Sequence, residues 1–242
     1  MSTYWATGIT LNHHPLGESD RILVLFTREY GLKRVVAKGS RRPKSKLGGR
    51  TEPLICANWF LAKGKSMDLV TQCESITAYR ELRADLSRLL SGLYLAELVS
   101  ATIEEEAPNP ELFDCLASTL LALEIAESTE LVVAHFELQL LRLLGYDLEL
   151  GGCVQCGAEE GEWGFSGEAG GLLCQACMRV QGGIRLHEKG VILLRRLAAV
   201  DLRTLVPHSV PESLISHGRM ALKTALQLHA RHPLRSSELA NL

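Results

Sequence analysis

The sequence predicts an α+β protein in which an N-terminal five-stranded barrel precedes an all-helical domain with a four-cysteine, zinc-ribbon-like insertion. Three observations support this prediction. Up to residue 80, short β-branched, aromatic and leucine-rich runs alternate with turn-forming stretches. From about Glu81, apolar residues recur at helical spacing. Between residues 150 and 181, glycines and paired cysteines interrupt that spacing. We therefore expect domains at 1–80 and 81–242, with 150–181 inserted into the second.

The barrel is predicted from five short strands that have no strong helix between them. They cover Trp5–Leu11, Arg21–Thr27, Leu32–Lys38, Leu54–Ala62 and Leu69–Ile76. The OB-fold is the commonest small barrel of five strands, so it is our prediction for residues 1–80. The number of strands alone leaves an SH3-like barrel open.

The remainder of the chain is predicted to be helical, apart from the cysteine segment. Leucines recur at helical spacing from Leu82 to Leu98, and Gly145 stands where a helix would end in the left-handed conformation. Ser209 would open the last helix through a capping box. The further predicted helices are Glu111–Glu124, Leu131–Leu144, His187–Val200 and a helix from Ser209 to about Ala230.

Charge is distributed unevenly along the chain, although the net charge is only −2. Residues 1–80 contain 13 basic and 6 acidic side chains, whereas the remaining residues contain 13 basic and 22 acidic ones. Such a division predicts that a polyanion binds the N-terminal part.

The positive charge is concentrated between residues 33 and 50, where no acidic residue occurs. Most of this segment is predicted to form a flexible cationic loop between the third and fourth strands. A solvated surface loop is the plainer interpretation, but this density without counter-charge favours nucleic-acid binding. Most aromatic residues nearby are expected in the core, and base stacking by Tyr30 is a further hypothesis. The candidate DNA-binding residues are Lys33, Arg34, Lys38, Arg41, Arg42, Lys44, Lys46 and Arg50.

Two CxxC pairs, separated by 17 residues, predict a metal site with four thiolate ligands. The candidate ligands are Cys153, Cys156, Cys174 and Cys177. Zn²⁺ is the expected ion, although rubredoxin-type iron uses the same ligand set. Two disulfides or a redox CxxC fit the spacing less well, because disulfides need an oxidising compartment and a redox CxxC usually comes singly.

The cysteine segment contains four glutamates and no lysine or arginine between Cys153 and Cys177. Four thiolates on Zn²⁺ would add a formal charge of about −2, so DNA phosphates would be repelled. We therefore expect a structural site that stabilises this segment.

No catalytic constellation is recognisable in the sequence. There is no phosphate-binding loop of the GxxxxGK[ST] type, no HExxH and no GxSxG motif. The Glu104–Glu106 cluster fits a solvated helix end or a contact patch for a partner. Because no catalytic motif is recognised, we expect that the protein is not an enzyme. No secretory signal or membrane span is recognised either, so we expect it in the cytoplasm.

Several motifs along the chain resemble the RecO family of bacterial DNA repair and recombination mediator proteins. No single motif is specific for this family, but the motifs together, in this order, are. They are GESDRIL at 17–23, FTREYGL at 26–32, AKGSRRPKS at 37–45, YLAEL at 94–98, FELQLL at 136–141, LGY at 144–146, the cysteine segment and PLRS at 233–236.

The resemblance implies an N-terminal OB-fold and a helical domain with a zinc insertion. It also implies binding to single- and double-stranded DNA, annealing of complementary strands, association with RecR and single-strand-binding protein (SSB), and assistance in loading RecA. By the same resemblance, Lys38, Arg41, Arg42, Lys44 and Lys46 are candidate phosphate contacts, and the four paired cysteines are metal ligands. The protein would then act at the bacterial nucleoid.

Three other functions compete with this interpretation. A zinc-ribbon transcriptional regulator would need basic residues on the cysteine segment or a helix-turn-helix, and neither is evident. A scaffold would use the acidic helical part, with the basic loop incidental. A metal-dependent hydrolase would need an open coordination position, which four cysteine ligands do not leave.

Overall fold

A closed five-stranded barrel forms the N-terminal part of the computed structural model, which describes residues 2–234. Its strands are β1 (Thr3–Leu16), β2 (Asp20–Thr27), β3 (Gly31–Ala37), β4 (Cys56–Ala62) and β5 (Asp68–Thr77). Their order is β1-β2-β3-β5-β4, and β4 pairs with β1. All pairs are antiparallel except β3–β5, which is parallel. This is the OB-fold arrangement, and the predicted barrel is confirmed.

The barrel interior is filled by side chains that alternate along the strands. Leu23 and Leu25 on β2, Val35 on β3, and Trp59 and Leu61 on β4 are all fully buried. The indole N–H of Trp59 donates to the Gly8 carbonyl at 3.1 Å, which satisfies the one polar atom of this large side chain. The strand positions between these residues point away from the barrel interior, where Val24 is buried and Phe60 is half-buried.

Three helices follow the barrel: α1 (Arg80–Ala84), α2 (Leu86–Thr102) and α3 (Pro110–Ile125). Asp85, which is in extended conformation between α1 and α2, caps α2 by accepting the Arg88 N–H. Phe113 of α3 packs on Phe26 of the barrel, with ring centroids 5.7 Å apart. Residues 2–124, together with Leu234, form one compact unit. The domain boundary predicted at residue 80 follows the change from strands to helices and stays a prediction.

The second compact unit, Ile125–Pro233, contains the remaining elements. Its helices are α4 (Thr129–Leu143), α5 (Gln175–Gln181), α6 (Glu188–Ala199), α7 (Leu202–Leu205) and α8 (Glu212–His229). A three-stranded sheet is formed by β6 (Trp163–Ser166), β7 (Gly171–Cys174) and β8 (Ile184–Leu186), with β6 in the centre. The predicted helical domain with a cysteine insertion is confirmed, and β8 and α5 are additions that the sequence did not reveal.

The start of α8 differs from the prediction of a capping box at Ser209. The helix begins at Glu212 after Pro211, and no side chain caps its N-terminus. A proline disfavours the helical conformation of the residue before it, so Val210 does not enter the helix and Ser209 is kept from the N-cap position.

Among the described residues, no helix is long and apolar enough to span a membrane. Arg235 and Ser236, which belong to the C-terminal motif at 233–236, lie outside the described residues.

Candidate metal centre and nucleic-acid interface

The four predicted ligands come together in the second unit. Their Sγ atoms all lie within 4.8 Å of one another, and those of Cys156 and Cys174 are 3.7 Å apart. A tetrahedral Zn²⁺ with bonds of about 2.3 Å would place its sulfur ligands about 3.8 Å apart. Within the described part of the chain, no other group of histidine, cysteine or acidic residues is arranged to hold a metal. The cluster can therefore bind a metal ion, as the cysteine spacing predicted.

Short backbone hydrogen bonds shape each pair of cysteines. In the first pair, the Gly157 N–H donates to the Cys153 carbonyl at 2.8 Å, and the Cys153 N–H donates to the Ala158 carbonyl at 2.8 Å. In the second pair, Cys174 ends β7 and Cys177 lies in the first turn of α5. The hairpin of β6 and β7 places Trp163 opposite Cys174, so the sheet positions the second pair.

The cluster cysteines differ electrostatically from the isolated ones. Burial raises the pKa of Cys56, Cys73 and Cys115 to about 11, which favours the unreactive thiol. Burial also acts to raise the pKa of Cys153, but nearby backbone N–H groups, first that of Cys174, outweigh it and lower this pKa to about 6. Hydrogen bonds to the Cys153 sulfur thus favour its thiolate form, which is the form that binds metal, whereas the hydrogen bond with Cys174 and burial raise the pKa of Cys177 to about 12.

The cysteine segment is fastened to α6 through Arg195. This side chain donates to the Leu150 carbonyl at 2.6 Å and to the Gly151 carbonyl at 2.9 Å. Its guanidinium also lies 5.7 Å from the centre of the Trp163 ring. Gly164 allows α5 to approach, because a Cβ at this position would lie 2.1 Å from the Met178 sulfur. These contacts make the segment part of the helical unit.

The segment between β3 and β4 is built from consecutive turns, although its sequence predicted a flexible loop. Three backbone bonds of the i to i+3 kind follow one another, with the N–H groups of Arg42, Ser45 and Gly48 as donors. A 3₁₀ helix, Gly49–Thr51, ends this series. Ser40 is buried, and Leu47 packs against the barrel core. The loop is therefore tied to the barrel at several points.

Two residues at the start of β2 hold the loop in place. The Asp20 carboxylate accepts the Gly39 N–H at 2.7 Å. This bond, together with that from Ser19, lowers the pKa of Asp20. Arg21 donates to the Thr51 hydroxyl and pairs with Glu52, both at 2.8 Å. With the base of the loop fixed in this way, its cationic side chains point outwards.

Six of the eight candidate DNA-binding residues are exposed on this loop. The backbone N–H of Arg41 donates to the Ser19 carbonyl, and its side chain donates to the Gly17 carbonyl. Arg50 donates to the Cys73 carbonyl of β5 at 2.8 Å. Both contacts fix the guanidinium groups without neutralising them. The exposed cations of the loop are Lys38, Arg41, Arg42, Lys44, Lys46 and Arg50.

The other two candidates, Lys33 and Arg34 on β3, are engaged by carboxylates. Lys33 lies 2.8 Å from Glu106 and 3.7 Å from Asp68, and Arg34 lies 2.9 Å from Glu105. We expected the acidic cluster to be a helix end or a partner contact. Here Glu105 and Glu106 instead pair with β3 of their own chain, and the two cations contribute less free charge to the surface than predicted.

The backbone holds this acidic segment against β3. Glu105 bridges with Leu32 in parallel fashion, and the Glu106 N–H donates to the Leu32 carbonyl at 3.1 Å. Gly31 is required there, since its φ is +67° and a Cβ would lie 2.4 Å from the Ala107 carbonyl oxygen. The pairing of a glutamate run with a strand some 70 residues earlier has no signal in the sequence except complementary charge.

Removal of these two carboxylates is expected to strengthen DNA binding. In the variant Glu105→Gln/Glu106→Gln, Arg34 loses its carboxylate partner and Lys33 keeps Asp68 at 3.7 Å, so both cations become more available to phosphates. The log–log salt slope for a single strand should then steepen by up to roughly 1.4, at about 0.7 per added contact. Fluorescence anisotropy of a labelled oligonucleotide at several salt concentrations measures this change.

The variant Glu159→Gln/Glu160→Gln is the matched control, because it removes the same net charge from the cysteine segment. Equal changes in the two variants would mean that net charge alone is responsible. An unchanged affinity in both would show that Lys33 and Arg34 do not reach DNA.

The aromatic residues of the barrel divide into two groups. Phe26, Trp59 and Tyr79 are buried, as expected for most of them. Tyr30 is 38% exposed and meets Tyr4 edge-on, with ring centroids 4.8 Å apart. Trp5 is 45% exposed, which its apolar neighbours in the sequence did not reveal.

Two models of protein-family domains match this chain, one at each end. The model for the N-terminal domain of recombination protein O matches residues 1–79, and the model for its C-terminal domain matches residues 83–238. The chain belongs to the RecO family. This membership confirms the resemblance found in the sequence motifs.

Full-length RecO relatives support the assignment. A DNA repair protein RecO from Gloeobacter violaceus is 36% identical over 99% of this chain and 93% of its own length. One from Trichodesmium erythraeum is 34% identical over 98% and 93% of the two chains. One from Desulforamulus reducens is 30% identical over 98% and 94%. The family match therefore includes both the barrel and the helical unit with its cysteine cluster.

Proposed function

We propose that this RecO-family protein binds single- and double-stranded DNA through its loop 38–50 and anneals complementary strands. One observation supports this most directly, the display of six exposed cations on a loop whose base is fixed to the barrel. Phosphates that bind such a loop release counterions, and this release drives binding without regard to sequence.

Annealing on this surface requires no catalytic group. Two complementary strands repel each other through their phosphates, and a cationic surface lowers this repulsion and raises their local concentration. The protein therefore acts as a mediator and makes no covalent bond. In the cell it would work in the cytoplasm at the nucleoid and, together with RecR, help to load RecA onto DNA covered by SSB.

The metal is proposed to be Zn²⁺ with a structural role. All four ligands are cysteines, which leaves no open position on a tetrahedral ion. The segment contains Glu159, Glu160, Glu162 and Glu168, of which Glu162 pairs with Arg185 at 3.0 Å. An acidic surface of this kind is unsuited to phosphate contact, so DNA binding is assigned to the barrel alone.

Annealing of complementary oligonucleotides tests the proposal. The wild-type protein is expected to accelerate annealing, and Arg41→Glu/Arg42→Glu/Lys44→Glu/Lys46→Glu is expected to abolish the acceleration. Loss of four phosphate contacts should reduce the salt slope for single strands by roughly 2.8. Fluorescence energy transfer between labelled strands follows the rate.

A matched control reverses four exposed cations in the second unit: Arg179, Lys189, Arg196 and Arg203. Equal loss in both variants would refute the role of the loop. Sequence-dependent binding without annealing would instead indicate a transcriptional regulator. The part involving RecR, SSB and RecA is tested by RecA filament formation on SSB-coated DNA with and without each protein.

A further inference from the structure

An exposed aromatic pair lies on the outer face of the barrel, outside the cationic loop. Trp5 of β1 and Phe60 of β4 are direct partners in the sheet register, and their rings stack with centroids 4.9 Å apart and planes 29° apart. Trp5 is 45% exposed, and Phe60 is half-buried. A large ring in this position contributes little stabilisation to the core, because one of its faces remains in water.

The pair lies close to the cationic loop on the barrel surface. Phe60 is opposite Gln72 of β5, and the next residue, Cys73, accepts the side-chain hydrogen bond of Arg50. Neighbouring strands are about 4.8 Å apart, so the path from Trp5 across β4 and β5 to Arg50 is roughly 15 Å. A short stretch of an extended single strand spans this distance.

Positive charge also occurs beyond the end of β4, a few residues along the chain from Phe60. The turn that joins β4 to β5 carries Lys63 and Lys65, both exposed. The Lys63 N–H donates to the Ser2 carbonyl, which places this turn beside the start of β1. Cations therefore lie near the two rings both across the sheet, at Arg50, and beyond the end of β4, at Lys63 and Lys65, and this arrangement is complementary to a polyanion with bases attached.

We propose that Trp5, supported by Phe60, is a stacking site for the bases of single-stranded DNA whose phosphates contact the cationic loop. The inference rests on the proposed function and adds a means of distinguishing strand types. A duplex keeps its bases stacked inside, so only an unpaired base can reach Trp5. Stacking on an aromatic face accepts every base, which suits binding without sequence preference.

The variant Trp5→Ala tests the site in the full-length protein, with fluorescein-labelled oligo(dT) and a duplex of equal length as probes. Affinity for oligo(dT) should fall about 5- to 150-fold, the range for loss of one stacked base, while duplex affinity remains that of the wild type. The salt slope should not change, because stacking neutralises no phosphate. Trp5→Phe should retain most of the affinity.

Intrinsic fluorescence gives a second readout. Trp59 and Trp163 are buried, so Trp5 is the tryptophan that DNA can reach. Oligo(dT) should quench the wild-type emission, whereas duplex DNA should not, and the quenching should be absent in Trp5→Phe. Ile76→Ala is the matched control, because Ile76 is an exposed apolar residue on β5 without a ring.

Each result has a definite meaning. Unchanged oligo(dT) affinity in Trp5→Ala would overturn the stacking site, and so would an equal loss with the duplex. A change in oligomeric state without a change in DNA affinity would overturn it in favour of a contact between copies. Failure of the wild-type protein to bind either DNA would refute the proposed function itself. The measurement of duplex binding by the wild type detects this outcome separately from the effect of Trp5→Ala.

Discussion

Replacement of Glu137 by alanine is expected to destabilise the folded protein by about 3–5 kcal/mol, the usual cost of leaving a buried charge without its partner. Glu137 on α4 is fully buried, and the Arg219 side chain on α8 is 8% exposed. Three contacts of 2.6 to 3.2 Å join their charged atoms. Without the carboxylate, the guanidinium would remain charged inside the second unit, because arginine does not lose its proton in proteins.

The Glu137 carboxylate also acts on Lys223 of α8. Burial lowers the pKa of Lys223, Arg219 lowers it further, and Glu137 raises it. The carboxylate thus acts on two cations of α8, and its removal takes this favourable interaction from both. Urea unfolding followed by circular dichroism measures the loss in free energy of unfolding.

A double-mutant cycle of Glu137→Leu, Arg219→Met and the two together provides the control for the ion pair. Arg219→Met alone should also destabilise the protein, because it leaves the Glu137 carboxylate buried without this partner. The double variant Glu137→Leu/Arg219→Met should be close to the wild type or more stable, since apolar replacement of a buried pair is often neutral or favourable. A loss below about 1 kcal/mol in Glu137→Ala, typical of exposed pairs, would contradict the buried pair.

The variant Cys174→Ser is expected to lose the metal and to unfold the cysteine segment, while DNA affinity remains largely intact. Structural Zn²⁺ sites contribute on the order of 10 kcal/mol to the folding of their segments, so the segment should not fold without the ion. Its own apolar contribution is small, with Phe165, Leu172 and Leu173 as the fully buried side chains.

Metal content, the emission of Trp163 and oligonucleotide affinity measure the three parts of this prediction. Trp163 is 7% exposed beside Arg195, so its emission should shift to longer wavelength when the segment unfolds. Cys115→Ser is the matched control and should keep the metal, because Cys115 lies outside the cluster. A large loss of DNA affinity in Cys174→Ser with the segment still folded would show that the metal site takes part in DNA binding.

Some of the site could have been predicted from the sequence, and some could not. Paired cysteines identify their own site because each CxxC turn fixes two ligands locally, and the 17-residue separation fits a single ion. Glu137 also left a signal, since it is a charged residue between Phe136 and Leu138 in an apolar helix. The partner Arg219 is 82 residues later, and nothing in the sequence connects the two.

The surface of the barrel depended on contacts that are distant in sequence. Lys33 and Arg34 belong to a basic run, yet Glu105 and Glu106 neutralise them in the folded chain. Trp5 has the apolar neighbours of a core residue, but strand alternation places it outside, opposite Phe60. Exposure is decided by which face of a strand meets the interior, and this is settled only when the strands pair.

The sequence by itself determined the class of fold, the four cysteines that can hold a metal ion and the location of the positive charge, because strand and helix periodicity, CxxC turns and basic runs are local properties. Tertiary structure alone decided the closure of β3 on β5, the pairing of Glu105 and Glu106 with β3, the buried Glu137–Arg219 pair and the exposure of Trp5. Each of these joins segments far apart in sequence, and their contacts form only when burial of the shared core brings them together.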